Sequence, residues 1–175
     1  TATGSSGFQG SRVTSGNPGP FAVVQGHNLI NGALNLATSV TVNAGQTLIL
    51  GPGTVIKSDN YHTVTVDGSL IMAGTGDRPV VFTSYTDDTW GGDTNANGPS
   101  GGGPNQWNGI IYNAGASAGA IEHTLIRCGG AFGYAGLYCA SPLVTINSLR
   151  VERCQNTGIE IVNAATPMDN IVAFA

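Results

Sequence analysis

The sequence contains little charge and no long apolar segment. Its 175 residues include six Lys and Arg and ten Asp and Glu, so the net charge is −4 and the charged fraction is 9%, against a usual value of about 25%. A chain without clustered Lys and Arg lacks the positive surface that nucleic-acid binding requires. No apolar run approaches the roughly 18 residues of a membrane-spanning helix. We therefore expect one domain with neither a nucleic-acid partner nor a membrane span.

Cysteine is also scarce, because the chain has only Cys128, Cys139 and Cys154. No C-x-x-C pair is present, which disfavours zinc binding and thioredoxin-like chemistry. An odd count leaves at least one thiol free. For the others two readings stay open, namely a Cys128–Cys154 disulfide or simple buried thiols.

Glycine and short β-type segments are what the sequence has in abundance. Residues 1–20 are rich in Gly, Ser, Thr and Pro and predict a flexible N-terminal arm. From Phe21 onward, apolar runs of four to six residues alternate with period two, and turn pairs such as Asn-Gly and Pro-Gly separate them. No helical periodicity persists. The pattern predicts an all-β domain over residues 21–175.

Internal repeats at 22 to 27 residues predict how these strands are connected. Ile121, Ile146 and Ile171 align at a spacing of 25, and Ile126 aligns with Val151. The segments GIIY, GLYC and GIEI align in the same way at spacings of 27 and 22. Such periods indicate a parallel β-helix, in which each coil lies about 4.8 Å above the last and like residues stack. We expect a solenoid of roughly six coils.

An ordered series of motifs carries a family resemblance over about residues 19–163. The motifs are PFAVVQG, TVNAGQTLILGPGTVIKS, VDGSLIMAGTGDRPVVFTS, DDTWGGDTNANG, QWNGI and IEHTLIRCGG. In this order they resemble the N-terminal coils of bacterial secreted right-handed parallel β-helix repeat proteins. The resemblance implies a right-handed parallel β-helix that is secreted or lies at the cell surface. It implies no single activity, because the family includes surface proteins, adhesin-like modules and polysaccharide-acting enzymes.

An inserted loop at residues 85–108 holds the strongest constellation of polar residues. Its run DTNANG follows the first half of a calcium-binding loop, in which alternate oxygen ligands converge on a hard cation. The downstream Glu of an EF-hand is missing, and a neighbouring aspartate could supply the charge. We expect either a structural Ca²⁺ that fixes the loop to the column or a plain polar loop closed by Asx turns. The candidate ligands are Asp87, Asp88, Asp93, Asn95 and Asn97.

Little in the sequence points to catalysis, and we assign no catalytic residue. The 25-residue register places Glu152 beside Arg127, which predicts a surface ion pair between coils worth about 0–1 kcal/mol. Trp90 and Trp107 flank the inserted loop. Either could stack on a sugar ring, although Trp107 in the W-x-G-I context favours packing of the loop onto the coil.

The leading functional hypothesis is an extracellular structural protein that assembles with itself. The C-terminal sequence stops in mid-coil, since the partner of Val151 would be residue 176, and an exposed end together with an arm suits head-to-tail assembly into a fibre or surface appendage. The residues expected at that interface are Phe8, Val13, Ile171, Val172 and Phe174. The alternative is a fragment of a secreted carbohydrate-binding or polysaccharide-processing β-helix, with an extracellular polysaccharide as partner and lyase or hydrolase chemistry as the enzymatic version.

Overall fold

The structure is a computed structural model that describes residues 27–30, 32–162 and 168–174, and these residues form short β-strands joined by turns. The one helical segment in these ranges is a 3₁₀ turn, Ala131–Gly133. The strands are β1 (His27–Ile30), β2 (Ala33–Leu36), β3 (Val40–Val42), β4 (Thr47–Leu50), β5 (Val55–Ser58), β6 (Thr63–Val66), β7 (Ser69–Ala73), β8 (Val80–Ser84), β9 (Gly109–Tyr112), β10 (Ala118–Arg127), β11 (Ala135–Cys139), β12 (Val144–Glu152), β13 (Thr157–Ile161) and β14 (Met168–Ala173).

All pairings between these strands are parallel, and together they make a β-solenoid of about five turns. The first three coils each contribute three strands. In the next two coils a single long strand, β10 or β12, replaces the first two. The all-β parallel fold is therefore confirmed, with about five turns where the sequence predicts roughly six. The segment between β8 and β9 accounts for the difference, because residues 85–108 use about a coil's length of chain for one corner.

The long strands join two walls of the solenoid. The N-terminal half of β10 pairs with β7 and its C-terminal half pairs with β8, so one nine-stranded sheet covers both walls. The third wall is a five-stranded sheet in the order β13-β11-β9-β6-β3. Within the described ranges no helix has the length and apolarity needed to cross a bilayer.

Aliphatic side chains fill the interior in vertical columns. Leu48 stands over Leu70, and Ile121 over Ile146, as the repeats predict. On the third wall Leu137 lies between Ile110 and Ile159. All but Ile159 are buried. Burial of like residues at one spacing therefore holds the coils in register.

The register of the last strand is where the predicted columns fail. Met168, and not Ile171, pairs with Ile146, while Ile171 pairs with Leu149. Val151 also has a partner, Ala173, so the argument that its partner would be residue 176 is wrong. This repeat is 22 residues long instead of 25.

A backbone kink that recurs in three adjacent strands explains why the sequence fits a register shifted by three residues. His123, Ser148 and Asn170 have φ values of 41°, 60° and 51° and lie between paired residues of β10, β12 and β14. The kink interrupts the alternation of faces, so that Ile146 and Leu149, three positions apart, are both buried. A slip of three residues therefore still places an apolar residue in the core.

Part of the predicted organisation lies outside the described residues. This applies to the arm at residues 1–20 and to its expected interface residues Phe8 and Val13.

We expect Gly68→Ala to destabilise the solenoid, because its Cβ would lie 2.2 Å from the carbonyl oxygen of Asn43 in the coil below. Overpacking of this kind costs about 1–3 kcal/mol, or roughly 2–12 °C in Tm at this chain length. Thermal unfolding followed by circular dichroism measures it. The matched control is Gly76→Ala, where a Cβ meets nothing within 4 Å, and equal Tm values for both variants would contradict the stacking.

Candidate functional site

The inserted loop packs over the outward face of the second wall. Trp90 of the loop contacts a small apolar cluster formed by Ala33, Val55, Val81 and Leu125, one residue from each of four successive coils. Because the loop covers them, these outward-facing side chains are buried. The loop thereby creates a second core outside the column.

A buried lysine lies beneath the same loop. Lys57 on β5 is fully buried, and its Nζ donates a hydrogen bond of 2.5 Å to the carbonyl oxygen of Gly92. Burial lowers the pKa of Lys57, and the charges of Asp88, Asp87 and Asp93 oppose this shift. The loop therefore places three acidic residues around a cation that the protein itself supplies.

Arg127 provides a second buried cation, two coils further along. Its Nη1 lies 3.1 Å from Oδ2 of Asp87, and its Nε lies 3.3 Å from Oε1 of Glu152. Thr83 donates to Oδ2 and Thr89 to Oδ1 of the same aspartate. The predicted proximity of Arg127 and Glu152 is confirmed, but the expected surface pair is wrong, because Arg127 and Asp87 are buried under the loop.

The predicted calcium ligands do not all share one centre. Asp93 accepts hydrogen bonds from the backbone N–H groups of Asn97 and Gly98, and Asn95 also accepts from Asn97, which is the geometry of Asx turns. Asp87 faces Arg127 instead. Among the described residues no group of three His, Cys, Asp or Glu is arranged to hold a metal. Calcium binding by the loop stays a prediction.

The two tryptophans have different environments. Trp107 is fully buried, stacks on Phe82 at 5.8 Å between ring centroids, and donates from Nε1 to the carbonyl oxygen of Arg127. It packs the end of the loop onto the column. Trp90 is half-buried and lines a shallow groove together with His123 and Arg150.

All three cysteines are free thiols in the structure, including the pair Cys128 and Cys154 for which a disulfide was one of the two expectations. Burial raises the pKa of each thiol, to about 11 for Cys154. A thiol protonated at neutral pH is a poor nucleophile. We therefore assign the cysteines to packing rather than to chemistry.

The arrangement best suited to bind a ligand lies at the corner between the second and third walls, and the sequence reasoning did not identify it. Here three turns from successive coils stack. Tyr61 N donates to the carbonyl oxygen of Gln106, and Gln106 N donates to that of Cys128. The first two of these turns enclose a half-open cavity of about 200 Å³. Its lining consists of Asp59, Asn60, Tyr61, Tyr85, Thr86, Asn105 and Gln106.

An exposed aromatic pair borders this corner cavity. Tyr61 is 41% exposed and Phe132 is 70% exposed, and their rings meet edge to face with centroids 4.5 Å apart. Both residues have left-handed backbone conformations, with φ of 63° and 51°. Such conformations cost about 1–3 kcal/mol each and cluster at ligand-binding sites.

Two of the residues that line the cavity have side-chain oxygens without partners. Asn105 Oδ1 and Asp59 Oδ1 are buried and accept no hydrogen bond from the protein. The latter atom lies 3.6 Å from Nε2 of His62. A buried acceptor left unpaired costs about 1–3 kcal/mol, so Asn105 and Asp59 are incompletely satisfied at this corner. In the sequence, the Asn60-Tyr61 pair was the available signal of a turn at this corner. A turn in one coil does not reveal which turns of other coils stack on it.

Comparisons with known proteins add no assignment. The chain matches no protein-family model, and the comparisons with curated proteins and with solved structures gave no significant match. The strand pairing therefore defines the fold, and the corner cavity and the surfaces around it are the features that bear on function.

We expect Arg127→Met to unfold the protein more easily, because it leaves Asp87 buried without its cation. Removing one partner of a buried pair costs about 3–5 kcal/mol, measurable by urea denaturation. The double variant Arg127→Met/Asp87→Asn removes both charges and should recover most of the loss. Arg78→Met, on an exposed arginine, is the control and should change the free energy of unfolding by less than about 0.5 kcal/mol. A similar small effect for Arg127→Met would contradict the buried network.

Proposed function

We propose that this chain is an extracellular carbohydrate-binding β-solenoid that holds a neutral saccharide at the corner cavity. The observation that carries the proposal is the exposed Tyr61–Phe132 pair beside the polar corner cavity. An aromatic ring presents an apolar face that can cover the C–H face of a sugar. The polar side chains that line the cavity, those of Asp59, Asn60, Asn105 and Gln106, supply hydrogen-bonding groups for the hydroxyls of the same ring.

The size of the cavity suits one sugar residue of a longer chain. Its volume of about 200 Å³ is below the roughly 300–1,000 Å³ of pockets that enclose a drug-sized ligand. Because the cavity is half-open, neighbouring sugar residues can extend over the surface, where Phe132 protrudes. The fit is therefore to a polymer and not to a buried metabolite.

The chemistry of the cavity favours binding over hydrolysis. Asp59 is the one carboxylate among its described lining residues. Glycoside hydrolysis generally uses two carboxyl groups about 5–9.5 Å apart. Asp59 also lies 3.6 Å from His62, which leaves it suited to orient a sugar hydroxyl.

We expect Tyr61→Asn to weaken binding of neutral polysaccharides by about tenfold, which corresponds to roughly 1.4 kcal/mol. Asn removes the ring but tolerates the left-handed backbone at this position, so the fold should be retained. Affinity electrophoresis against neutral polysaccharides such as glucans and xylans, with polygalacturonate as an acidic comparison, measures the change.

The control for this experiment is Leu143→Ala, which removes an exposed apolar side chain that does not line the cavity. It should leave polysaccharide retardation unchanged. Phe132→Ala should act in the same direction as Tyr61→Asn. Equal retardation of all three variants and the unmodified chain would rule out the corner cavity as the binding site.

Head-to-tail self-assembly is the second candidate, and one observation favours it. In the first described coil Leu34, Leu36, Val40 and Val42 are buried. By contrast, Ile159, Ile161 and Ile171 of the last coils are only partly buried. Val172 and Phe174 are 45% and 53% exposed. Within the described ranges β13 pairs only with β11, so its other edge has no strand partner there. A second copy of the chain could cover this apolar edge. Of the expected interface residues, Ile171 faces the core.

We expect the chain to form oligomers whose mass rises with concentration, and Ile159→Lys to lower that mass because it places a charge on the apolar edge. Analytical ultracentrifugation over a wide concentration range measures both. Ala114→Lys, at an exposed site just after β9 and two strands away from β13, should leave the oligomers unchanged. A monomer at every concentration would contradict self-assembly without bearing on the corner cavity.

A further inference from the structure

A second concave surface, the Trp90 groove, lies at the corner between the first and second walls. It is half-open, with a volume of about 280 Å³. Its lining comes from the turn between β7 and β8, from the inserted loop and from the kinked strands β10 and β12, and includes Pro79, Trp90, His123, Leu125, Ser148 and Arg150. Because separate segments of the chain converge on it, the groove exists only in the folded solenoid.

Part of the groove surface is apolar. Trp90 is half-buried and packs against the outward-facing cluster that contains Leu125, so part of its indole ring stays accessible. Pro79 and Leu125 add aliphatic carbon atoms to the lining. An accessible indole ring beside aliphatic carbons suits the C–H face of a sugar ring.

Arg150 brings a positive charge to the same groove from the adjacent coil. It pairs with Leu125 in the parallel ladder of β10 and β12, so the two residues lie about 4.8 Å apart. The side chain of Arg150 is 59% exposed and forms an ion pair with Glu152 through Nη2. Its guanidinium also lies over the ring of Phe174, 5.2 Å from the centroid. These two contacts orient the guanidinium before any ligand arrives.

The guanidinium of Arg150 keeps donors for a ligand. A guanidinium carries five N–H groups, and within the described residues the ion pair of Arg150 uses Nη2. Glu152 also binds Nε of Arg127, so two arginines share its carboxylate. No Asp or Glu is among the described residues that line the groove. Asp77, in the neighbouring turn, is exposed and accepts a hydrogen bond from Thr75.

The Trp90 groove and the corner cavity lie at opposite ends of β8. Pro79 precedes this strand and lines the groove, whereas Tyr85 follows it and lines the cavity. Six residues of extended chain span about 20 Å. The described lining of the cavity contains the carboxylate of Asp59 and no Lys or Arg. The two sites therefore differ in charge and suit different sugar residues.

We propose that the Trp90 groove binds an acidic sugar residue, with the ring of a uronic acid against the indole of Trp90 and its carboxylate on Arg150. A planar carboxylate matches the fork of N–H donors that a guanidinium presents. His123 and Ser148 line the same groove and supply hydrogen-bonding groups for the sugar hydroxyls. The choice of a saccharide among carboxylate-bearing ligands rests on the proposed function, whereas the groove does not depend on the corner cavity.

Tryptophan fluorescence of the full chain tests this proposal. The chain has two tryptophans, and Trp107 is fully buried, so Trp90 reports on the groove. The probes are a cellulose-type oligomer of glucuronic acid and the cello-oligosaccharide of the same length, which differ only in their carboxyl groups. We expect the acidic oligomer to shift the emission saturably, with weaker binding at high salt, and the neutral oligomer to leave it unchanged. An equal shift with both oligomers, or none with the acidic one, would overturn the proposal.

Two arginine variants separate the site from a general effect of charge. Arg150→Gln should weaken binding of the acidic oligomer by about tenfold, because it removes both the charge and the fork. Arg150 is exposed, and Glu152 keeps its ion pair with Arg127, so the circular dichroism spectrum should be retained. Arg78→Gln removes the same charge from an exposed arginine outside the groove lining and should bind like the unmodified chain. Equal affinities of the two variants would contradict the assignment to Arg150.

Three further measurements fix the site and the class of ligand. Trp90→Phe should abolish the fluorescence change, and a change that persists would place the ligand elsewhere. An oligoglutamate of equal charge should give no comparable shift, and an equal one would overturn the choice of a saccharide. Tyr61→Asn should leave the titration with the acidic oligomer unchanged, whereas a lost shift would assign that ligand to the corner cavity. Since neutral polysaccharides test the corner cavity through Tyr61, the two proposals fail independently.

Discussion

Backbone hydrogen bonding between successive parallel coils is the constraint on which the rest of the molecule depends. It fixes each residue above its counterpart one repeat earlier, so columns of Leu, Ile and Val form inside the solenoid. The same register brings polar residues together outside it. One repeat geometry has three such consequences. It brings Tyr61 next to Gln106, pairs Arg127 with Glu152, and pairs Asn35 with Lys57.

The inserted loop converts part of the outer surface into interior. Without the loop, Lys57 and Arg127 would be ordinary surface cations, and Val55 and Leu125 would be exposed to water. With it, Trp90 covers the apolar residues, and the aspartates face the two cations. Sequence motifs led us to expect a bound metal to fix this loop. The structure shows that side chains of the column already supply positive charge there, although calcium binding at the Asp93 turn stays open.

Particular residues show how far the sequence could be used. The spacing of Leu48 and Leu70, or of Ile121 and Ile146, was sufficient to predict the parallel solenoid and its register in the middle coils. It was not sufficient at the last strand, because the kink at Ser148 turns both Ile146 and Leu149 inward and makes two registers equally apolar. The Arg127–Glu152 pair was predicted correctly, but its burial was not, since burial depends on where the loop folds.

By itself the sequence determined the class of fold, because period-two alternation and a repeat of about two dozen residues are compatible with few architectures. Only the tertiary structure decided where the chemistry lies. The corner cavity combines the turn after β5 with the inserted loop after β8, and their left-handed residues and unpartnered oxygens meet only after the coils stack. The hydrophobic periodicity can be read from the residues of one coil. A site on the solenoid instead forms from residues of adjacent coils, and no single coil determines which corner residues come together.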